Sequence, residues 1–272
     1  MAIIIISREM GTGAYQIAKE VARKLKYTLV DGAKIAELAP QYGLTPEILE
    51  RVDEKPPVYD NEEDRKQAAN LNKMELLLLE IARKGNVIFY GRGGQDLLAD
   101  LHNVLRLRIT APLEERVEKF AEREWMDPDL ARELIRKSDH QRRGFINYYF
   151  DRDWCDPLCY DLVYNTSRLS PSAIVEGIVA ASRDKYFKEH EEESQEMIED
   201  IILRKKLETE LMKCCNAGNL RVTVATCQGR VILAGHVHSE EEREKVVKEV
   251  GLFEGVRQVK DDMRLANNRL HK

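Results

Sequence analysis

Residues 3–25 read IIIISREMGTGAYQIAKEVARKL, and the fold turns on them. Ile3–Ile6 is an uncharged β-branched run, the pattern of a strand buried on both faces. It breaks at once into Ser7-Arg8-Glu9 with no basic region before it, so it reads as a strand rather than an export signal. Gly11-Thr12-Gly13 comes next. From Ala14 to Leu25, the residues Ile17, Val21 and Leu25 share one helical face, and Ala18 and Ala22 let that face pack closely. A strand, a glycine loop and a helix in this order bring backbone N–H groups close to an anion, where the helix dipole also favours negative charge. Loops of this kind occur in α/β proteins with and without a ligand.

The same grammar continues outward. Tyr27–Val30 is a short strand ending at Asp31. Met74, Leu77, Leu78 and Ile81 fall at i, i+3, i+4 and i+7 of a helix that Gly85 ends. Asn86–Tyr90 is a strand closing on Gly91-Arg92-Gly93-Gly94. Leu105, Leu107 and Ile109 alternate with Arg106 and Arg108, which predicts a strand with one polar face. Pro112 pre-sets a helix from Leu113 to about Glu124, and Leu162–Tyr164 is a last strand. Ser170-Pro171 caps a helix carrying Ile174, Val175, Ile178 and Val179. Strands alternating with helices over residues 2–187 mark a parallel sheet covered by helices. Two excursions interrupt it: Leu38–Asp64, rich in proline and acid, and a polar helical stretch from Asp127 to Asp153.

Composition bounds the rest. With 272 residues, 43% of them hydrophobic, the chain holds one large domain or two smaller ones. No apolar run approaches the roughly 18–20 residues of a membrane-spanning helix. A net charge of −5 gives no reason to expect nucleic acid as a partner. Five cysteines without an export signal read as reduced thiols, hence a cytoplasmic protein. The stretch 189–196, EHEEESQE, is a boundary: a solvated helix or a linker, assigned to residues 188–196. Beyond it, residues 197–272 read as a small αββαβ unit. A helix about Met197–Cys214 precedes strands at Leu220–Thr226 and Arg230–Val237. Ser239 and Glu242 form a capping box for a helix to about Leu252, and a final strand runs from Gly255 to Leu265.

The loop departs from the P-loop pattern. Arg8 stands at its first glycine position and Ala14 at the lysine position, with no Ser or Thr following. Backbone amides still supply a phosphate cradle, but another cation must neutralise the phosphates. Arg92 sits at a strand's C-terminal end, where open α/β sheets bind ligands. Arg142 and Arg143 lie in the polar excursion beside Asp139, with Arg123 upstream; each arginine taken singly also fits a surface salt bridge. Asp31 is either an acceptor-binding carboxylate or a turn or cap residue.

These residues carry a resemblance. IIISREMGTG, LVD at Asp31, VIFYGRGG around Arg92, RITAPLEERVE from Arg108, KSDHQRR around Asp139, and DW followed by YDLVYNTSRLS stand in order across residues 3–180. In these motifs the chain resembles the cytidylate kinase-like family. The resemblance implies a three-layer α/β/α P-loop kinase-like domain over residues 1–187. It also implies phosphoryl transfer from ATP, with Mg²⁺ arriving on the nucleotide, to CMP or a related small acceptor. Arg8, Gly11, Thr12 and Gly13 are then phosphate-binding, Arg92, Arg142 and Arg143 catalytic, and Asp31 and Asp139 acceptor-binding, with no protein metal site. Family loops continue GGRE where this chain has Gly13-Ala14-Tyr15-Gln16. Cytidylate kinases carry an Asp where this chain has Tyr90. These departures motivate the alternative of a catalytically weak or inactive nucleotide-binding regulator; a third reading is an assembly protein whose domains serve protein contacts.

GRVILAGHVHSEEER and GVRQVKDDM in the second unit resemble the BON family, with Gly229, Gly235 and Gly255 at its glycine positions. The resemblance implies phospholipid or small-molecule binding. A ligand-sensing or dimerising role, giving a homodimer, is expected here and membrane contact is not; a passive scaffold is the plain alternative. His236 and His238 share a strand face without a third ligand, and Cys155/Cys159 and Cys214-Cys215 lack paired CxxC spacing, so no metal centre is expected. Tyr148, Tyr149, Phe150 and Trp154 either stack on a base or anchor a lid.

Overall fold

The computed structural model describes residues 2–51, 62–91, 94–214 and 221–266. The chain folds into two compact units, Met1–Ser194 and Gln195–Lys272.

In the first unit the strands are β1 (Ile3–Arg8), β2 (Thr28–Val30), β3 (Val87–Tyr90), β4 (Val104–Thr110) and β5 (Leu162–Asn165). All pair in parallel, in the order β2-β3-β1-β4-β5. Parallel neighbours need crossovers, and the helices supply them. These are α1 (Ala14–Leu25), α2 (Gly32–Leu38), α3 (Pro46–Arg51), α4 (Glu62–Arg83), α5 (Gly94–Leu97), α6 (Leu113–Glu124), α7 (Pro128–Phe150), α8 (Pro171–Ala181) and α9 (Lys185–Glu189). Ile4 and Ile6 of β1 and Leu105, Leu107 and Ile109 of β4 meet α1 and α8 in one buried cluster. Ile5 and Phe89 point to the opposite side, where Gly94 at the start of α5 packs on them: a Cβ there would meet Ile5 at 3.4 Å and Phe89 at 3.7 Å. The layers are therefore helix, sheet, helix. Because the chain leaves β1 toward β2 on one side and later builds β4 and β5 on the other, the end of β1 is a topological switch point. The glycine loop lies there.

β4 corrects the expected polar face. Arg108 is only 4% exposed, and it lies over the Trp154 ring with its guanidinium 4.1 Å from the centroid. Arg106 donates to the carbonyls of Leu98, Ala99 and Leu101. The alternation is real, but on a central strand of a covered parallel sheet Arg108 is buried and paired and Arg106 is half-buried against backbone carbonyls.

The second unit consists of the greater part of α10 (Glu191–Cys214), β6 (Arg221–Cys227), β7 (Arg230–Val237), α11 (Glu240–Gly251) and β8 (Gln258–Leu265). β7 pairs antiparallel with β6 and parallel with β8. Gln228 and Gly229 both have positive φ, 50° and 75°, the two-residue turn whose twist matches a hairpin. Leu203, Leu207, Val224, Leu233, Val246 and Met263 share its core. The charged stretch 189–196 runs into α10 rather than forming a free linker. The capping box is half as expected: Ser239 Oγ accepts from the Glu242 N–H, but Glu242 reaches back to the His238 N–H instead of that of Ser239. Leu220 and Cys215 lie outside the described residues, as do residues 52–61 of the Leu38–Asp64 excursion.

Candidate active site

The chain leaves β1 with its ladder intact, Glu9 N–H donating to the Ile109 carbonyl at 3.0 Å, and then turns through Met10–Gly13 into α1. Both glycines take positive φ, 87° at Gly11 and 75° at Gly13. A Cβ at Gly11 would come within 2.9 Å of the Arg116 carbonyl, so α6 backbone presses on the loop there. The Thr12 hydroxyl donates to the Glu9 carbonyl at 2.9 Å and tightens the turn. Among the described residues, no acceptor meets the N–H groups of Gly11, Thr12, Gly13, Ala14 and Tyr15. These are the orphan donors of a helix N-terminus and the loop leading into it.

A pocket of about 450 Å³ opens over these amides. Arg8, Tyr15, Tyr90, Phe120, Arg123 and Arg142 complete its wall. Beneath it lies an ionic frame. Glu9 takes Arg108 at 3.0 Å and Arg116 at 3.6 Å, together with the Thr110 hydroxyl. Arg116, 7% exposed, also donates to the Met10 carbonyl at 3.0 Å and to Asp139 at 2.6 Å. Asp139 accepts from the Met10 N–H at 3.1 Å. The Met10 peptide groups are thus held from both α6 and α7. Arg142 also comes within 3.8 Å of Asp139, so two carboxylates face three guanidinium groups and the balance beside the amides is positive.

The expected site residues are placed unevenly. Gly11, Thr12, Gly13, Arg8 and Arg142 line the pocket. Arg143 does not; its guanidinium donates to the Cys155 thiol at 3.2 Å. Asp139 braces the loop. Asp31 is the N-cap of α2, accepting from the Lys34 N–H at 3.0 Å, and also takes the Tyr15 hydroxyl at 2.8 Å. Burial pushes the Asp31 carboxyl up, but the donors of Lys34 and Tyr15 outweigh it and hold the group below the usual carboxylate value. The same bond raises the Tyr15 phenol above its ordinary range. Arg92 lies outside the described residues. Trp154 is buried, its Nε1 donating to Ser7 Oγ at 2.9 Å, so it anchors the chain after α7 and does not reach the pocket. His236 and His238 are both exposed.

Sequence reasoning missed Glu9, Arg108 and Arg116. The available signal was an arginine flanked by leucine and isoleucine in a strand that must be covered on both sides. No group of three His, Cys, Asp or Glu side chains among the described residues is arranged to hold a metal ion. Glu9 and Asp139, the carboxylates nearest the amides, are engaged by arginines. The donor set does not fit a protein-held Mg²⁺.

Residues 3–168 match the model of the cytidylate kinase-like family, well over half of the chain. The chain belongs to that family. Among cytidylate kinase-like relatives, the cytidylate kinase of Natronomonas pharaonis is 32% identical over 183 residues, covering 66% of this chain and 90% of that protein. The cytidylate kinase of Staphylothermus marinus is 31% identical over 193 residues, covering 70% of this chain and all of that protein. A crystal structure of an uncharacterized protein from Eubacterium ventriosum shares the fold. Its TM-score is 0.53 at 24% identity, over 66% of this chain and 97% of that one. Residues 199–267 match the BON domain. No described helix is long and apolar enough to cross a membrane.

Proposed function

We propose that this chain transfers a phosphoryl group from ATP to a nucleoside monophosphate, with CMP first among the acceptors. The reading rests on one observation: a run of unengaged loop amides, Gly11 to Tyr15, faces a pocket walled by Arg8, Arg123 and Arg142. Curated relatives named cytidylate kinase cover this same unit and support it. Five amides at a helix N-terminus hold polyphosphate without a lysine. The pocket arginines neutralise the charge that spreads over the transferring group, and we assign Arg92 the same role. An acceptor phosphate is already ionised near pH 7 and needs no general base. Catalysis is then positioning and charge neutralisation, with no covalent intermediate. Asp31 faces the acceptor side, and Asp139 keeps the loop in shape. Mg²⁺ comes with the nucleotide, through phosphate oxygens and water. The substrates assign the activity to the cytosol. For residues 199–267 we propose a ligand-sensing or dimerising role, read by light scattering of the full chain.

ADP release measured across CMP, dCMP, UMP, AMP and GMP tests the reading. CMP-dependent release is expected. Tight ATP binding with no acceptor-dependent turnover would overturn it.

A further inference from the structure

Asp31 and the glycine loop are separated by a wall of rings. Asp31 follows β2, Tyr90 ends β3, and the loop leaves β1; these strands are neighbours in that order, so the line from loop to Asp31 crosses the end of β3. Tyr90 and Tyr15 fill that line edge to face, their centroids 5.4 Å apart, and the Arg8 guanidinium lies 4.5 Å over Tyr90. Tyr15 lines the pocket and Asp31 does not. Each oxygen of Asp31 already has a donor, Lys34 N–H on one and the Tyr15 hydroxyl on the other.

We propose that Tyr15 sets acceptor selectivity by placing its own hydroxyl on the Asp31 oxygen that an acceptor's sugar hydroxyl would otherwise engage. The inference rests on the kinase reading and deepens it. A phenol on a carboxylate is a charge-assisted bond, so an arriving sugar hydroxyl exchanges one such donor for another and gains little. The unmodified chain therefore takes ribo- and deoxyribonucleoside monophosphates alike. With phenylalanine at position 15 the ring remains but the carboxylate oxygen loses its donor, and a sugar hydroxyl that reaches it gains the full bond.

The test compares CMP with dCMP, by kcat/KM and by calorimetric Kd without ATP. It uses the full-length chain, Tyr15→Phe, and Tyr15→Phe combined with Asp31→Asn. The CMP:dCMP ratio is expected to be about one in the unmodified chain and to rise about tenfold in Tyr15→Phe. Adding Asp31→Asn should return it to the starting value. An unchanged ratio in Tyr15→Phe, or a rise that survives Asp31→Asn, overturns the proposal, as does a failure of every variant to bind CMP. If binding shows the expected ratios while no variant releases ADP, the kinase reading falls and the role of Tyr15 stands.

Discussion

Replacing Gly11 with alanine should destabilise the first unit far more than the same change at Gly13. Both residues hold positive φ, 87° and 75°, which costs an alanine roughly 1–2 kcal/mol. They differ in what a Cβ would meet. At Gly13 nothing lies within 4 Å; at Gly11 the Arg116 carbonyl is 2.9 Å away and its Cβ 3.1 Å. Those are atoms of a buried helix that cannot yield as a flexible side-chain tip does, and such overpacking adds about 1–3 kcal/mol. The reduced freedom of an unfolded alanine chain returns about 0.4–1 kcal/mol at either site. The balance is about 3 kcal/mol for Gly11→Ala and about 1 kcal/mol for Gly13→Ala. For a unit of this size that corresponds to melts roughly 9 °C and 3 °C below the unmodified chain. Both tryptophans, Trp125 and Trp154, belong to Met1–Ser194, so their fluorescence follows this unit alone. Equal melting of the two variants would refute the argument that α6 backbone holds the loop by contact.

Other perturbations probe the frame and the pocket. Asp139→Asn leaves Arg116 with Glu9 at 3.6 Å as its nearest carboxylate, and tryptophan fluorescence should report a loss of about 2 kcal/mol. Arg123→Ala removes a pocket cation whose ion pair with Glu124 is exposed; ATP Kd by calorimetry should rise about tenfold. The melt should stay within about 2 °C. Burial holds the Tyr160 phenol above its ordinary value of 10.0, the neutral hydroxyl donating to the Trp154 carbonyl at 2.9 Å. A group raised on folding supports the fold below its unfolded pKa and loses that support as pH rises through the folded one. Stability should therefore fall above pH 10.0, and in Tyr160→Phe urea titrations should show that slope shallower by up to about 1.4 kcal/mol per pH unit.

The sheet and the loop were legible because their signals are local. Ile3–Ile6, the paired glycines and the face of Ile17, Val21 and Leu25 announce strand, turn and helix within one stretch. Even Asp31 could be placed at a strand end, although its capping bond to Lys34 and its bond to Tyr15 are indistinguishable in sequence from an acceptor site. The ionic frame was not legible. Glu9 meets Arg108 across 99 residues, and Met10 meets Asp139 across 129. At that separation charge patterning says nothing of partners, and a buried arginine has the same letter as a solvated one. Arg143 shows the converse: adjacent to Arg142 in sequence, it points elsewhere because successive helical positions diverge by about 100°.

The Asp200 carboxylate grips the hairpin turn at both N–H groups, Gln228 at 2.7 Å and Gly229 at 3.3 Å, while the Gln228 amide reaches Glu196 at 3.0 Å. A fragment trimmed to start at residue 199, where the family match begins, would put that grip in a fraying first turn and discard Glu196 altogether. The second compact unit starts upstream of its family match, and dissection of the two halves should cut before Gln195 rather than after Ile198.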